Sequence, residues 1–259
     1  MRDGHFNPIF LLGGPRSGTT WLNFILAEHP DISTGPETFA FEIIDSIFSA
    51  AESRLLAGQG ILADGYMDRT DLCQICAELF HSLVESQIDG AKHYVEKTPL
   101  HTRYIDRIHE IFPDSRIVHL VRDGRDVVCS MIAARAERNF RFPASVKECA
   151  ARWRQIDRVL QFGEQHGGLY HELRYEDLVN DVRNELARLL AVLNIAAPRE
   201  VLDRMHHASA EIHRPSSRSS THGFVGKWRQ SFTREDAATF RAVAGDLLIR
   251  LGYELDDRW

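Results

Sequence analysis

No apolar run in this sequence is long enough to cross a membrane as a helix; near the N-terminus the longest is only Ile9–Leu12. No leader of charged then apolar residues precedes it, because Met1-Arg2-Asp3-Gly4-His5 runs almost directly into that segment. Cysteine is scarce: Cys73, Cys76, Cys129 and Cys149 are too few for a disulfide framework in 259 residues. These absences lead to the expectation of a cytoplasmic protein with reduced thiols. An excess of positive charge is also missing. Lys and Arg number 31 against 37 Asp and Glu, a formal net charge of −6. That excludes a globally basic nucleic-acid or anionic-membrane binder, so neither partner is expected and any anion site must be local. What remains is ordinary, 44% hydrophobic and 26% charged, with length enough to bury a sizeable core.

Hydrophobic patterning alternates between strands and helices. Ile9-Phe10-Leu11-Leu12 and Ile117-Val118-His119-Leu120-Val121 are short continuous apolar runs, the form of strands buried on both faces. His93-Tyr94-Val95 and residues 169–173 read as two further strands. Helical patterns cover 20–29, 37–50, 70–89, 101–111, 125–138, 144–165, 176–193, 198–207 and 233–250. In the first of these, Trp21, Phe24, Ile25 and Leu26 form the apolar side and Pro30 ends the helix. This order predicts an α/β fold with a central parallel sheet flanked by helices. No repeat and no linker divides the chain, so 1–259 is expected to be a single domain. Residues 206–223 are almost free of apolar side chains and cannot pack on themselves, the composition of a lid or a disordered loop.

Chemistry is concentrated at strand ends. After the first strand, Gly13-Gly14-Pro15-Arg16-Ser17-Gly18-Thr19-Thr20-Trp21 has the G-x-x-x-x-G spacing of a phosphate loop. Glycines let backbone N–H groups wrap an anion, and the following helix presents its positive N-terminus. The Lys-Ser/Thr pair of nucleotide triphosphatases is replaced by Thr19-Thr20, and the cation sits inside the loop at Arg16. A second cation, Arg122, stands at the C-terminal end of the 117–121 strand, the edge where open α/β sheets bind ligands. Ser130 follows eight residues later, two helical turns on, so an Arg and a hydroxyl can converge on one phosphate. Surface ion pairing among Arg122, Asp123, Arg125 and Asp126 is the plainer alternative. Lys97 ends the short 93–95 strand, beside a Thr98 cap and Pro99 in a first helical turn. Thr34-x-x-Glu37 fits a capping box. Cys73-x-x-Cys76 lies on a helical face with Leu72, Ile75, Leu79 and Phe80, which points to packing rather than redox or metal chemistry. His206-His207 has no partner at ligand spacing, so no metal is expected.

Gly14-Pro15-Arg16-Ser17-Gly18-Thr19-Thr20-Trp21-Leu22 resembles the 5′-phosphosulfate loop of sulfotransferases that use 3′-phosphoadenosine 5′-phosphosulfate (PAPS). Arg16, where cytosolic members have Lys, is similar to bacterial and tyrosylprotein sulfotransferases. The resemblance implies a phosphate-loop nucleotide-binding fold, PAPS as sulfuryl donor and 3′-phosphoadenosine 5′-phosphate (PAP) as product. It implies that Arg16, Ser17, Gly18, Thr19 and Thr20 hold the 5′ end and that Trp21 lies near the adenine. Strand, Arg122 and Ser130 are similar to the family's 3′-phosphate motif, whereas Arg125 matches no ligand and is taken as structural. Arg174-Tyr175-Glu176-Asp177-Leu178 resembles a Tyr-Glu-x-Leu element and implies that Tyr175 touches the donor; a helix start with acids at its positive end is the alternative. Gly223-Phe224-Val225-Gly226-Lys227-Trp228-Arg229 resembles the G-x-x-G-x-W-K element that closes over PAPS, which adds Gly226, Lys227 and Trp228. The Arg-Lys pair expected before that element is replaced by Thr221-His222, with Arg214 and Arg218 nearby.

By the same resemblance Lys97 assists the leaving group and Glu37 is the catalytic base of the tyrosylprotein type. Cytosolic members use a His, for which His93, His101 and His119 are the rivals; His119 reads as core and His101 as structural. The matches run from residue 9 to 229 and imply an enzyme moving a sulfuryl group to a hydroxyl, less readily an amine, of a small-molecule or peptide acceptor. A small-molecule kinase on the same scaffold, with Asp123 near a Walker-type acid, and a non-catalytic nucleotide-binding protein are the alternatives. The segments 37–50, 58–70 and 138–143 are expected to line the acceptor pocket, and none carries a motif that names an acceptor.

Overall fold

A computed structural model describes residues 6–88, 90–138, 142–212 and 225–259. The elements run β1 (Ile9–Gly13), α1 (Thr19–Leu26), β2 (Ile32–Thr34), α2 (Ala40–Leu56), α3 (Arg69–Val84), β3 (His93–Glu96), α4 (Ile105–Ile111), β4 (Arg116–Val121) and α5 (Gly124–Arg138). They continue with α6 (Val146–Trp153), α7 (Asp157–Gln165), β5 (Tyr170–Arg174), α8 (Tyr175–Asn180), α9 (Val182–Val192), α10 (Arg199–Ile212), α11 (Trp228–Ser231) and α12 (Arg234–Arg250). The five strands form one parallel sheet in the order β2-β3-β1-β4-β5.

The apolar runs explain the layers. Side chains along a strand point alternately to opposite faces. From β1, Ile9 and Leu11 enter a core with α1, α8, α9 and α10, while Phe10 and Leu12 enter a second core with α2, α3, α4 and α7. A third core joins Val121 and α5 to Trp153 of α6 and to Phe240 and Leu248 of α12. Helices therefore cover both faces of the sheet, as a continuous hydrophobic strand requires.

This topology decides where the site lies. The chain leaves β1 toward β2 and β3 on one side, then crosses to β4 and β5 on the other. The crevice at the carboxyl end of β1 is thus a switch point, the place where such sheets bind ligands. Among the described residues, no helix is long and apolar enough to cross a membrane.

Several elements depart from the sequence expectation. The helix at 20–29 ends at Leu26, before Pro30, and Phe24 faces solvent while Leu22 takes its place in the core. Residues 37–50 shift to Ala40–Leu56, and 144–165 splits into α6, a 3-10 turn at Arg154–Ile156 and α7. The three-residue β2 was not expected. The helix placed at 198–207 continues to Ile212, so the polar stretch is helical at its start; positions 213–223 of the expected lid lie outside the described residues. Cys76 is buried beside Leu72 and Phe80, but Ile75 is exposed, so the apolar face of α3 is narrower than its pattern suggested.

Candidate active site

Three adjacent strands deliver the site: β1 ends in the phosphate loop, β3 is followed by Lys97, and β4 is followed by Arg122. The loop is shaped by a turn in which Ser17 N–H donates to the Gly14 carbonyl at 3.0 Å. Arg16 (φ 70°) and Gly18 (φ 100°) both adopt left-handed backbone. Gly18 is required twice over, because a Cβ there would also lie 2.7 Å from the Tyr175 ring. Gly18 is the N-cap of α1 and no side chain caps that end. The first-turn N–H groups of a helix lack intrahelical acceptors, so this end offers donors to an anion.

A cavity of about 580 Å³ opens over the loop. Arg16, Gly18, Thr19, Thr20, Trp21, Glu37, Arg122, Ser130 and Tyr175, all expected from the sequence, line it. Arg16 Nε donates to Ser130 Oγ at 3.1 Å, and Arg122 Nη1 donates to the Arg16 carbonyl at 3.2 Å. The Arg122 guanidinium also lies 4.3 Å from the centre of the Tyr175 ring. Arg122 and Ser130 thus converge, with Arg16 between them. Tyr175 starts α8, lines the cavity and packs edge-on to Trp21 at 5.8 Å. Trp21 Nε1 donates to the Ser209 carbonyl, which fixes the indole.

Glu37 is not a helix cap. The helix starts at Ala40 instead, and Glu37 Oε1 accepts from Lys97 Nζ at 2.7 Å. Lys97, almost wholly buried, also lies 3.4 Å from Thr20 Oγ1 of the phosphate loop. One ammonium therefore joins the candidate base to the anion loop. Behind it sits a group that sequence reasoning missed. Glu96 is fully buried, and its Oε1 accepts from Thr98 Oγ1 at 2.6 Å and from Thr38 Oγ1 at 3.0 Å. Thr98 Oγ1 in turn accepts from Thr38 N–H at 3.1 Å. Thr38 and Thr98 are the chain neighbours of Glu37 and Lys97, so Glu96 ties the two segments together. Burial raises its pKa, opposed mainly by those hydroxyls.

The histidine rivals are placed elsewhere. His101 is buried, and its Nε2 accepts from Phe41 N–H at 3.3 Å. Its pKa is pushed down to about 3 by burial. His119 is core, with Nδ1 2.9 Å from Tyr170 Oη. His93 opens β3, and none of the three lines the cavity.

Four residues expected at the donor are not among those that line the cavity. Ser17 is buried with its hydroxyl beside Gly14, and its N–H is spent in the turn, so it shapes the loop from behind. Gly226, Lys227 and Trp228 do not line the cavity. Asp126 accepts from the N–H groups of Gly226 at 2.6 Å and Trp228 at 2.9 Å, and Lys227 is exposed. Trp228 covers Arg125, whose guanidinium lies 3.7 Å from its ring centre. Arg125 is structural as expected: it is buried and bonded to Asp123 at 2.8 and 3.0 Å and to Glu254. Asp123 is thereby engaged away from the cavity, unlike a Walker-type acid. Thr221-His222, Gly223, Phe224, Arg214 and Arg218 lie outside the described residues, as do positions 139–141 of the expected pocket loop.

The cavity is also lined by Phe39, Pro99, Leu100, Phe142 and Arg152. Of these, Arg152 carries charge and was not anticipated. The cavity thus combines a cationic floor, hydroxyls and an uncapped helix end with one carboxylate held by a lysine, a donor set that fits a nucleotide with phosphate or phosphosulfate groups.

The model of a sulfotransferase family matches residues 8–199. Nodulation protein NoeE of Sinorhizobium fredii (strain NBRC 101917 / NGR234) is 26% identical, over 95% of this chain and 65% of its own length. Protein-tyrosine sulfotransferase 1 of Danio rerio is 24% identical, over 95% of this chain and 72% of its own. The chain therefore spans about two thirds of these relatives. The sulfotransferase domain from the curacin biosynthetic pathway superposes with a TM-score of 0.63 at 20% identity, over 93% of this chain and 97% of that one. With the family model spanning well over half of its residues, and with the phosphate loop, Arg122 and Ser130 meeting in one cavity, this chain belongs to the sulfotransferase family.

Proposed function

We propose that this chain transfers the sulfuryl group of PAPS to a hydroxyl of a small-molecule or peptide acceptor and releases PAP. The observation that carries this reading is the Glu37–Lys97 pair at 2.7 Å, with Lys97 reaching Thr20 of the phosphate loop. A carboxylate able to take a proton and a cation able to meet growing negative charge stand side by side over an anion-binding loop.

In this reading Arg16, the α1 N-terminus, Thr19 and Thr20 hold the 5′-phosphosulfate. Arg122 and Ser130 hold the 3′-phosphate, and Trp21 and Tyr175 flank the nucleoside. Glu37 accepts the proton of the acceptor hydroxyl as that oxygen bonds to sulfur. Lys97 and Arg16 neutralise the phosphate oxygen that keeps the electron pair of the broken sulfur–oxygen bond. Sulfuryl carries less charge than phosphoryl, so three protein cations, Arg16, Arg122 and Lys97, are in proportion to the task.

The test is chromatography of PAPS incubated with the chain and a panel of phenols, alcohols and sugars. Expected is PAP in one-to-one yield with a sulfated acceptor. Phosphate transfer from ATP with magnesium, with no turnover of PAPS, supports a kinase and refutes this reading.

A further inference from the structure

Arg152 is the cation of the cavity to which sulfuryl transfer gives no task. It sits in the last turn of α6, anchored by the neighbouring Trp153, which is fully buried against Gly124. The other cations have polar partners: Arg16 meets Ser130, Arg122 meets the Arg16 carbonyl, and Lys97 meets Glu37. Among the described residues the Arg152 side chain makes no hydrogen bond and no ion pair, and its Nε is buried without an acceptor. Its guanidinium lies 5.5 Å from the centre of the Phe142 ring.

Its surroundings make this costly. Burial lowers its pKa, and the Arg103 cation lowers it further. Arg103 belongs to the 3-10 turn Pro99–Tyr104, whose Pro99 and Leu100 line the cavity. Arg152 lines the cavity together with Pro99, Leu100 and Phe142, residues to which the donor reading assigns no contact. Glu37 is the one acid among the described lining residues, and it is already paired with Lys97. A half-buried guanidinium with no counter-charge inside a ligand cavity is a site for an anion that the ligand brings.

We infer that Arg152 binds an oxyanion of the acceptor, so that the acceptor is a hydroxyl compound carrying a carboxylate or similar acid. The apolar body between the two groups packs against Phe39, Leu100 and Phe142. This rests on the sulfuryl-transfer reading, which supplies the direction from which the hydroxyl meets Glu37.

The test is calorimetry on the full chain, first with PAP alone and then with PAP saturating. The second titrants are 4-hydroxyphenylacetate and 3-(4-hydroxyphenyl)propanoate, each beside its uncharged amide. Expected is binding of at least one acid about 10-fold or more tighter than its amide. Arg152→Gln should abolish the difference while PAP affinity stays within about two-fold, and Arg152→Lys should keep part of it. Equal binding of acid and amide, or binding of neither, overturns the inference even where PAP binds well. A fall of about 10-fold in PAP affinity in Arg152→Gln also overturns it, because Arg152 then serves the donor. If Arg152→Gln does not fold, the acid-over-amide ratio of the unaltered chain and of Arg152→Lys decides. Failure of the unaltered chain to bind PAP sinks the sulfuryl-transfer reading and takes this inference with it.

Discussion

Replacing Glu37 by Gln exchanges one carboxylate oxygen for an amide at the tip of Lys97. The structure sets the size of two separate effects. The first is stability. Lys97 is 5% exposed, but the Glu37 side chain is 35% exposed, so solvent already screens the pair. The Gln carbonyl still accepts from Nζ at the same place. The expected cost is about 1 kcal/mol or less, a Tm shift of about 2–4 °C for a domain of this size. No helix cap is lost, because the helix starts at Ala40 and does not use Glu37. The second effect is chemical. An amide cannot take the acceptor proton, and loss of a general base costs about 10²–10⁴ in rate, or about 3–5 kcal/mol of barrier. The assay is initial-rate PAP formation, with PAP affinity measured by calorimetry and Tm by fluorimetry on the same preparations. The prediction is a collapse of kcat with PAP affinity and Tm nearly unchanged. If Glu37→Gln keeps kcat within a few-fold, Glu37 does not move the proton and the reasoning from its pairing with Lys97 fails.

Glu96→Gln should lower kcat about 10-fold or more and cost about 1–3 kcal/mol of stability, because a buried acceptor of two hydroxyls is half replaced by a donor. PAP affinity should not move, and a parallel loss of PAP binding would contradict a role confined to the Glu37–Lys97 segments. Gly18→Ala should cost about 1–2 kcal/mol from left-handed strain alone and weaken PAP binding further as Tyr175 is displaced; unchanged Tm and affinity would refute the loop geometry. Acidification should destabilise the fold through His101 and His119, both pushed down to about 3 by burial. Between the ordinary His range and that value the unfolded chain binds protons that the folded chain refuses. Stability therefore falls with pH by up to about 1.4 kcal/mol per unit for each. Glu96, raised by burial, acts the other way only from the ordinary carboxylate range up to its folded pKa and offsets part of the loss. A Tm level between pH 7.5 and 5 would contradict this.

The sheet was legible because β1 and β4 are continuous apolar runs, and only a strand buried on both faces needs such a run. β2 was not, because Ile32-Ser33-Thr34 holds one apolar residue and owes its pairing to β3. The phosphate loop, Arg122 and Ser130 could be read because each follows a strand at fixed spacing, and topology brought them together. Glu37 shows where local reading fails. Thr34-x-x-Glu37 has the letters of a capping box, yet the start of α2 is set by Thr98 and His101, about 60 residues away. Trp228 was drawn toward the nucleotide by its motif, but the fold buries it against Arg125 and Trp259. Arg152 lies on an amphipathic helix that looks like any other, and only the packing of α6 beside the strand ends gives it a ligand-facing position.

The central claim is a site built for a nucleotide with a 3′-phosphate. The direct measurement is calorimetric titration of the chain with PAP, with ADP, and with ATP and magnesium, repeated on Arg122→Ala. The account predicts that PAP binds more tightly than the other two by about 2–4 kcal/mol, roughly 30- to 1000-fold. It also predicts that Arg122→Ala removes most of that gap. Binding of ATP with magnesium as tightly as PAP, or a gap that survives Arg122→Ala, would contradict it.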